Sequence, residues 1–376
     1  MPFTQKASNI DVKRINKIRI ARAILESEKV SHQELAAKLG LSVPTVLQNV
    51  RELMEQGIVR EMGAFQSTGG RKAKAIAPVP DARMAVGVDI TQNHVSAVLV
   101  DLTGKIVEYV RQFRPFTFHD DYFRALADTV EGLLEKAAAP RDKILGVGFS
   151  IPGIIDKSGE WISSSHVLGF GKVPCQIFSR FLPYPSVFLN DANAAGFAEL
   201  RGGEPDRNAV YLFLSNSVGG AVLLSGKLYT GENQRGGEFG HNTLVPGGRK
   251  CYCGKQGCLD AYCSAKLLSD HTGGNLAAFF EQLKAGDQKI QKVWENYFDC
   301  LCLAVNNLRM TFDCDVIIGG YVGGYLEDFQ DSLRERLQKL NTFEPSGDYL
   351  KICRYRLEAS ALGAALQFVE KFINQL

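Results

Sequence analysis

Four cysteines crowd into thirteen residues, at Cys251, Cys253, Cys258 and Cys263. His241 lies ten residues before the first of them. Three thiolates, from Cys251, Cys253 and Cys258, and the His241 imidazole form a donor set suited to a closed, tetrahedral, structural zinc ion. Gly254 and Gly257 permit the tight turn that brings three sulfurs round one ion. A closed site of this kind keeps no water to activate, so the zinc is expected to hold structure and not to catalyse. Cys263 falls outside the spacing and reads as an ordinary thiol. Cys175, Cys300, Cys302, Cys314 and Cys353 lie mostly in apolar contexts and read as buried thiols. Clustering in a reducing compartment points to metal rather than to disulfides.

A chain of 376 residues is long enough for two or three domains. It holds no run of about 18 uninterrupted apolar residues, so no transmembrane helix and no membrane partner are expected. The first ten residues lack the apolar stretch of a secretory leader, which makes a cytoplasmic protein the expectation. The net charge of +2 hides an asymmetry. Residues 1–80 hold 13 Lys and Arg against 7 Asp and Glu, while the rest hold 30 against 34. A basic head on a slightly acidic body suggests a polyanion partner for the head alone.

Within that head, residues 11–28 read as a helix with Ile15, Ile18, Ile20, Ala23, Ile24 and Leu25 on a broad apolar face. Ser31 and Glu34 match a capping box that opens a second helix, and Gly40 supplies the left-handed residue that ends it. Ser42 caps a third helix, with Pro44 in its first turn, where no intrahelical N–H is needed. Val46, Val50 and Leu53 should face inward. Two short helices joined by a glycine turn form a helix-turn-helix whose second member enters the major groove of double-stranded DNA. Thr45, Gln48 and Asn49 are the expected hydrogen-bonding partners of base edges, and Leu47 the contact to a thymine methyl. Strands at 58–62 and 73–77 should flank a wing. At its tip Gly70 lets the backbone approach DNA, and Arg71 and Lys72 reach phosphates or a narrow minor groove.

The body, residues 83–376, reads as α/β. Strands are expected at 84–89, 94–101, 144–151, 187–189, 211–214, 221–224, 316–318 and 353–357. Helices are expected at 121–136, 289–312, 325–339 and 359–372. The strand pattern restarts at residue 211, which suggests two similar halves with a cleft between them. The segments Gly146–Gly153, Asn190–Ala195, Gly237–His241, Cys251–Cys258 and Ile318–Gly320 make the chain resemble the ROK family of sugar-responsive repressors and sugar kinases. The likeness runs over nearly the whole chain. It implies a two-lobed actin/hexokinase-like (ribonuclease H-like) domain behind a winged helix-turn-helix. The expected divisions are 1–80, then 83–190 with 355–376 as one lobe, and 191–354 as the other, carrying the zinc site and oligomer contacts. The family pattern assigns the zinc to the same four residues.

The resemblance also implies a sugar site at Asn190, Asp191, Glu238 and His241. In ROK kinases the residue matching Asp191 is the general base that takes a proton from the sugar hydroxyl. His241 would link sugar to zinc, with one ring nitrogen on the metal. A further family contact is a Glu two residues after the last zinc Cys, and Asp260 stands there instead, one methylene shorter. ROK kinases usually begin with Asp-x-Gly-Gly-Thr, a turn whose amides hold ATP phosphate. Residues 89–94 here are Asp-Ile-Thr-Gln-Asn-His, without either glycine, and residues 215–220 keep only Gly219 and Gly220 of the second phosphate loop. ATP is therefore not an expected ligand. A sugar-responsive regulator, most naturally a repressor released by a sugar or sugar phosphate and assembled as a homodimer or homotetramer, is the leading expectation. A ROK-type sugar kinase carrying a DNA-binding head is the alternative.

Overall fold

The computed structural model describes residues 9–64, 74–200 and 207–376. The head contains α1 (Asn9–Leu25), β1 (Val30–Ser31), α2 (His32–Leu39), α3 (Val43–Glu55), β2 (Val59–Ala64) and β3 (Lys74–Pro78). The Ser31 hydroxyl accepts from the Glu34 amide at 3.2 Å, and the Glu34 carboxylate accepts from the Ser31 amide at 2.7 Å. This reciprocal cap starts α2 one residue after the short strand β1. Gly40, at φ 64°, ends it, and Ser42 caps α3 through the Thr45 amide. Ile20, Ile24, Leu35, Val46, Val50, Leu53 and Ile76 are fully or almost fully buried among them. The wing strands run slightly later than the residue pattern suggests. They join β1 in an antiparallel sheet of order β1-β3-β2, with Val30 opposite Ile76. Two residues of β1 carry no alternation signal, so only the fold reveals that pairing.

The body opens with β4 (Met84–Ile90), β5 (His94–Asp101), β6 (Ile106–Phe113), α4 (Asp120–Lys136), β7 (Ile144–Ile151), β8 (Ile154–Ile155), β9 (Trp161–Ser164), β10 (Val173–Pro174), α5 (Gln176–Ser179) and β11 (Ser186–Asn190). Five of these strands form one sheet of order β11-β7-β4-β5-β6. Helix α6 (Asp191–Leu200) leaves β11 directly. A second sheet, of order β14-β13-β12-β15-β16, follows from β12 (Ala209–Leu214), β13 (Val218–Leu224), β14 (Lys227–Leu228), β15 (Asp315–Gly319) and β16 (Leu350–Ile352). Between these strands come α7 (Asp260–Cys263), α8 (Ala265–Ser269), α9 (Leu276–Lys284), α10 (Gln288–Phe312), α11 (Gly320–Gly323) and α12 (Gln330–Leu340). Helix α13 (Ala359–Asn374) returns to the first sheet. Each sheet places an antiparallel hairpin beside parallel strands, which is how the pattern repeats. No described helix is long and apolar enough to cross a membrane.

Two expectations from the sequence are corrected. The last strand is Leu350–Ile352, and residues 353–357 leave the sheet. The buried Glu199 carboxylate accepts from the Arg354 and Tyr355 amides at 2.9 and 3.1 Å, so these donors serve a side chain instead of a ladder. The helix expected at 325–339 begins as a 3-10 turn, Leu326–Phe329, before α12. Helix α6 was not anticipated. Its Ala- and Gly-rich sequence has no polar face because it is covered on two sides, by α13 and by β13.

Candidate functional site

His241, Cys251, Cys253 and Cys258 bring one imidazole and three sulfurs within 4.8 Å of one another. Gly254 and Gly257 have φ of 89° and 82°, which lets the hairpin fold back on itself. The Cys253 and Cys258 sulfurs are 3.8 Å apart, and Cys251 Sγ is 4.0 Å from His241 Nδ1. Burial pushes the Cys251 thiol well above its usual range, and burial also lowers the His241 pKa, which favours the neutral imidazole. Thiols packed this tightly ionise together only beside a cation, so the donor set fits a soft divalent metal. Cys263 is fully buried in the second lobe's core, outside the cluster.

The other ring nitrogen, His241 Nε2, faces away from the sulfurs and lies 3.3 Å from the Tyr252 hydroxyl. The Tyr252 ring packs edge-on to His241 and tilted against His166, at centroid distances of 5.4 and 5.9 Å. His166 follows β9 in the first half of the body and Tyr252 lies in the cysteine loop of the second, so the fold brings these distant rings together. Neither was singled out from the sequence. Tyr252 was hidden between two cysteines, where the metal reading absorbed its neighbours.

Asn190 ends β11 and Asp191 begins α6. The Asn190 amide donates to Gly153 O at 3.2 Å, and its oxygen accepts from the Asn193 amide at 3.1 Å. These bonds fix the strand-to-helix corner. Asp191 Oδ1 accepts from the Ala192 amide at 2.9 Å. Burial pushes the Asp191 carboxyl up to about 7, helped by the nearby charges of Asp89 and Glu238. Burial likewise raises Glu238, against the opposing pull of His241. Asp191 and Glu238 thus lie close enough to feel each other's charge, and Glu238 that of His241, a set of acceptors to which ligand hydroxyls can donate. Asp260 is buried behind this group, and its Oδ1 accepts from the Val218 amide at 2.6 Å. The shorter side chain is thus tied to the backbone of β13.

A fourth carboxylate, Asp89, begins the altered loop. It is buried, accepts from Ser150 Oγ at 2.7 Å, and is raised to about 6 chiefly by burial. The turn that follows it is closed by Thr91, whose amide and hydroxyl both donate to His94 O, while the His94 amide returns a bond to the Thr91 hydroxyl. Two turn amides are therefore occupied inside the hairpin. Beside them the Arg111 guanidinium bonds Ser96 Oγ at 3.2 Å and sits over the Tyr321 ring, 5.8 Å from its centroid. Tyr321 follows Gly319-Gly320 of the second sheet, and it is half-buried near Asp89 and Thr91. Arg111 and Tyr321 thus pack beside the Thr91 turn.

In the head, Leu47 and Gln48 are exposed on α3 and Thr45 is half-buried, its hydroxyl 2.8 Å from that of Ser42. Asn49 does not join them. It is 2 % exposed and faces inward with Val46, Val50 and Leu53, its amide donating to Thr45 O at 2.7 Å. The inward stripe of α3 is one residue wider than the apolar pattern revealed, because a polar side chain occupies one of its positions. Arg51, exposed one turn beyond Leu47 and Gln48, was missed by a reading confined to the helix start. Gly70, Arg71 and Lys72 lie outside the described residues.

The ROK family profile matches residues 85–371 of this chain, and a winged helix-turn-helix DNA-binding profile matches residues 13–60. The xylose repressor of Bacillus spizizenii is 28% identical over 347 residues, which cover 90% of this chain and 82% of the repressor. The N-acetylmannosamine kinase of Escherichia fergusonii is 30% identical over 298 residues, covering 75% of this chain and 97% of the kinase. The crystal structure of a ROK family transcriptional regulator, a homolog of the E. coli MLC protein, aligns with a TM-score of 0.73 at 18% identity over 96% of this chain and 97% of that one. At that identity the likeness speaks for the fold.

Proposed function

The chain belongs to the ROK family, and from that premise we propose that it is a transcriptional repressor whose hold on operator DNA is set by a sugar or sugar phosphate. One observation carries the reading: a helix-turn-helix with an outward-facing Leu47 and Gln48 shares its chain with a group of acceptors in which Asp191 lies within charge range of Glu238, and Glu238 within range of His241. Xylose is the first sugar to try, because a relative that aligns with 90% of the chain is named a xylose repressor. In this reading Asn190, Asp191, Glu238 and His241 hold sugar hydroxyls, with Asp260 acting through the backbone it braces. The two sheets move as two lobes, with α6 staying with α13 and the first sheet, so that the division falls after α6 and not at the residue 190 expected from the sequence, and the protein works as a homodimer or homotetramer on paired half-sites. Zinc is held by His241, Cys251, Cys253 and Cys258. When bound it cross-links the loop that presents His241, and it supplies no chemistry to the sugar.

The direct test is operator binding across a panel of sugars and sugar phosphates. A panel in which every member leaves operator affinity unchanged would sink the proposal. Within the head, Gln48→Ala is expected to relax preference at one base pair by about 1–3 kcal/mol, read by selection from a randomised duplex. An unaltered preference removes Gln48 from the reading set.

The family also contains kinases, so the alternative is catalytic. The bonded amides of the Thr91–His94 turn and the Arg111–Tyr321 pair argue against a phosphate cradle there. No ATP turnover is expected with xylose, glucose or N-acetylmannosamine in a coupled assay. Turnover that Asp191→Asn abolishes would restore the kinase reading.

A further inference from the structure

Helix α13 touches both ends of the molecule's proposed task. At its start, the Ser360 hydroxyl donates to the carbonyl oxygen of Asp191 at 3.1 Å. At its end, Arg22 of α1 donates to Glu370 Oε2 at 2.6 Å and to Asn374 Oδ1 at 3.1 Å. Ten residues of helix separate Ser360 from Glu370, about 15 Å of axis.

Between these ends the packing leaves no space for slippage. A methyl group added at Gly363 would lie 1.7 Å from the Ala194 carbonyl oxygen of α6. One added at Gly87 of β4 would lie 1.8 Å from the Ala361 oxygen, and at Gly148 of β7, 2.1 Å from the Ala364 oxygen. Backbone therefore meets backbone along the first half of α13, and α6, α13 and the first sheet form one block. The far half continues into the head without a break. Leu362, Leu366, Val369 and Ile373 belong to the same apolar core as Ile20, Ile24, Leu35, Val46 and Leu53. That core carries the helix-turn-helix.

Helix α6 also faces the second lobe, where a methyl group at Gly196 would lie 2.7 Å from Ala221 Cβ. A ligand gripping Asp191 on one side and Glu238 on the other acts on the start of this helix. We propose that α13 is the element that carries effector binding to the DNA-binding head, with Arg22 and Glu370 as its joint. The inference rests on the sugar-responsive reading and names its route. A ligand moves an equilibrium only through contacts that differ between two states. Here the differing contacts are those of Asp191 and Glu238, and the responding one is the angle at which α13 holds α1.

The experiment pairs two measurements on the full chain: xylose affinity by calorimetry, and operator affinity with and without xylose. The variants are Glu370→Lys and the exchange Arg22→Glu/Glu370→Arg. Glu370→Lys is expected to bind xylose within about twofold of the parent while its xylose-dependent change in operator affinity falls by about tenfold, within the usual range of coupling between sites. The exchange should restore most of that change, which general loosening of the head would not do. A Glu370→Lys protein with the parent's full xylose response overturns the inference and leaves the repressor reading intact. A parent protein that binds xylose with no change in operator affinity overturns both.

Discussion

With zinc held as proposed, Cys253→Ser is expected to cost the protein that metal and to silence the sugar response while the head still folds. Cys253 is half-buried, so the exchange of sulfur for oxygen removes little packing. What it removes is one of four donors that lie within 4.8 Å of one another. Structural zinc sites of this type contribute about 10–16 kcal/mol to the folding of small peptides, and a missing thiolate forfeits much of that. The loop is also tied by backbone bonds, among them Leu244 N to Gly257 O at 2.7 Å, Leu259 N to Asn242 O at 2.9 Å and Cys251 N to Lys255 O at 2.8 Å, so it is expected to loosen at the metal donors rather than to unravel. His241 sits at the end of the short 3-10 turn Phe239–His241, which follows Glu238. Freeing one ring nitrogen from the metal frees the other to leave the cleft. The measurements are metal content by emission spectroscopy, a fall in Tm of roughly 5–15 °C, and operator release by sugar. Cys263→Ser, in the same lobe but outside the cluster, should keep its metal. A Cys253→Ser protein with no bound metal and an undiminished sugar response refutes the link between them.

The parts of this molecule that were legible in its sequence are those governed by local chemistry. The capping box at Ser31 and Glu34, the left-handed Gly40 and the donor spacing of the cysteine loop each depend on residues within a few positions of one another. The main strands of the two sheets were legible because they are buried, largely apolar runs. What escaped depends on distant partners. Helix α6 shows no amphipathic period because α13 covers one side and the second sheet another. The strand expected at 353–357 dissolves because Glu199, more than 150 residues away, claims its amides. Asn49 faces inward although its type suggested a base contact, and Arg111 meets Tyr321 only because two lobes fold together. Glycine served both levels. Gly363, Gly87 and Gly148 carry no such local signal, and the fold shows them as the points where α13 meets other backbone.

Asp191→Asn should separate stability from function in opposite directions. Its carboxyl is raised to about 7, first by burial and then by Asp89, so in the folded protein it prefers to be neutral. A carboxyl whose folded value exceeds its unfolded value of about 3.9 contributes its stability below that value and loses it as pH rises through the folded one. At pH 4 the substitution is therefore expected to leave Tm nearly unchanged. By pH 8 the wild type holds an ionised Asp191 beside Asp89 and Glu238, and the uncharged amide does not. The gain there is on the order of 2 kcal/mol, or roughly 4–8 °C in Tm for a lobe of this size. The same change replaces a charged acceptor of sugar hydroxyls with a neutral one. Effector affinity should fall by about 10- to 100-fold, the equivalent of one charge-assisted hydrogen bond. Thermal scans at pH 4 and pH 8, run beside calorimetry with xylose, read both effects. A variant no more stable at pH 8 than the parent would mean that Asp191 finds a cation in the folded protein. Retained sugar affinity would mean that its carboxylate faces something other than the ligand. If both effects appear, the pocket keeps a destabilising carboxylate because recognition requires it, which is the mark of a binding site rather than of a packed core.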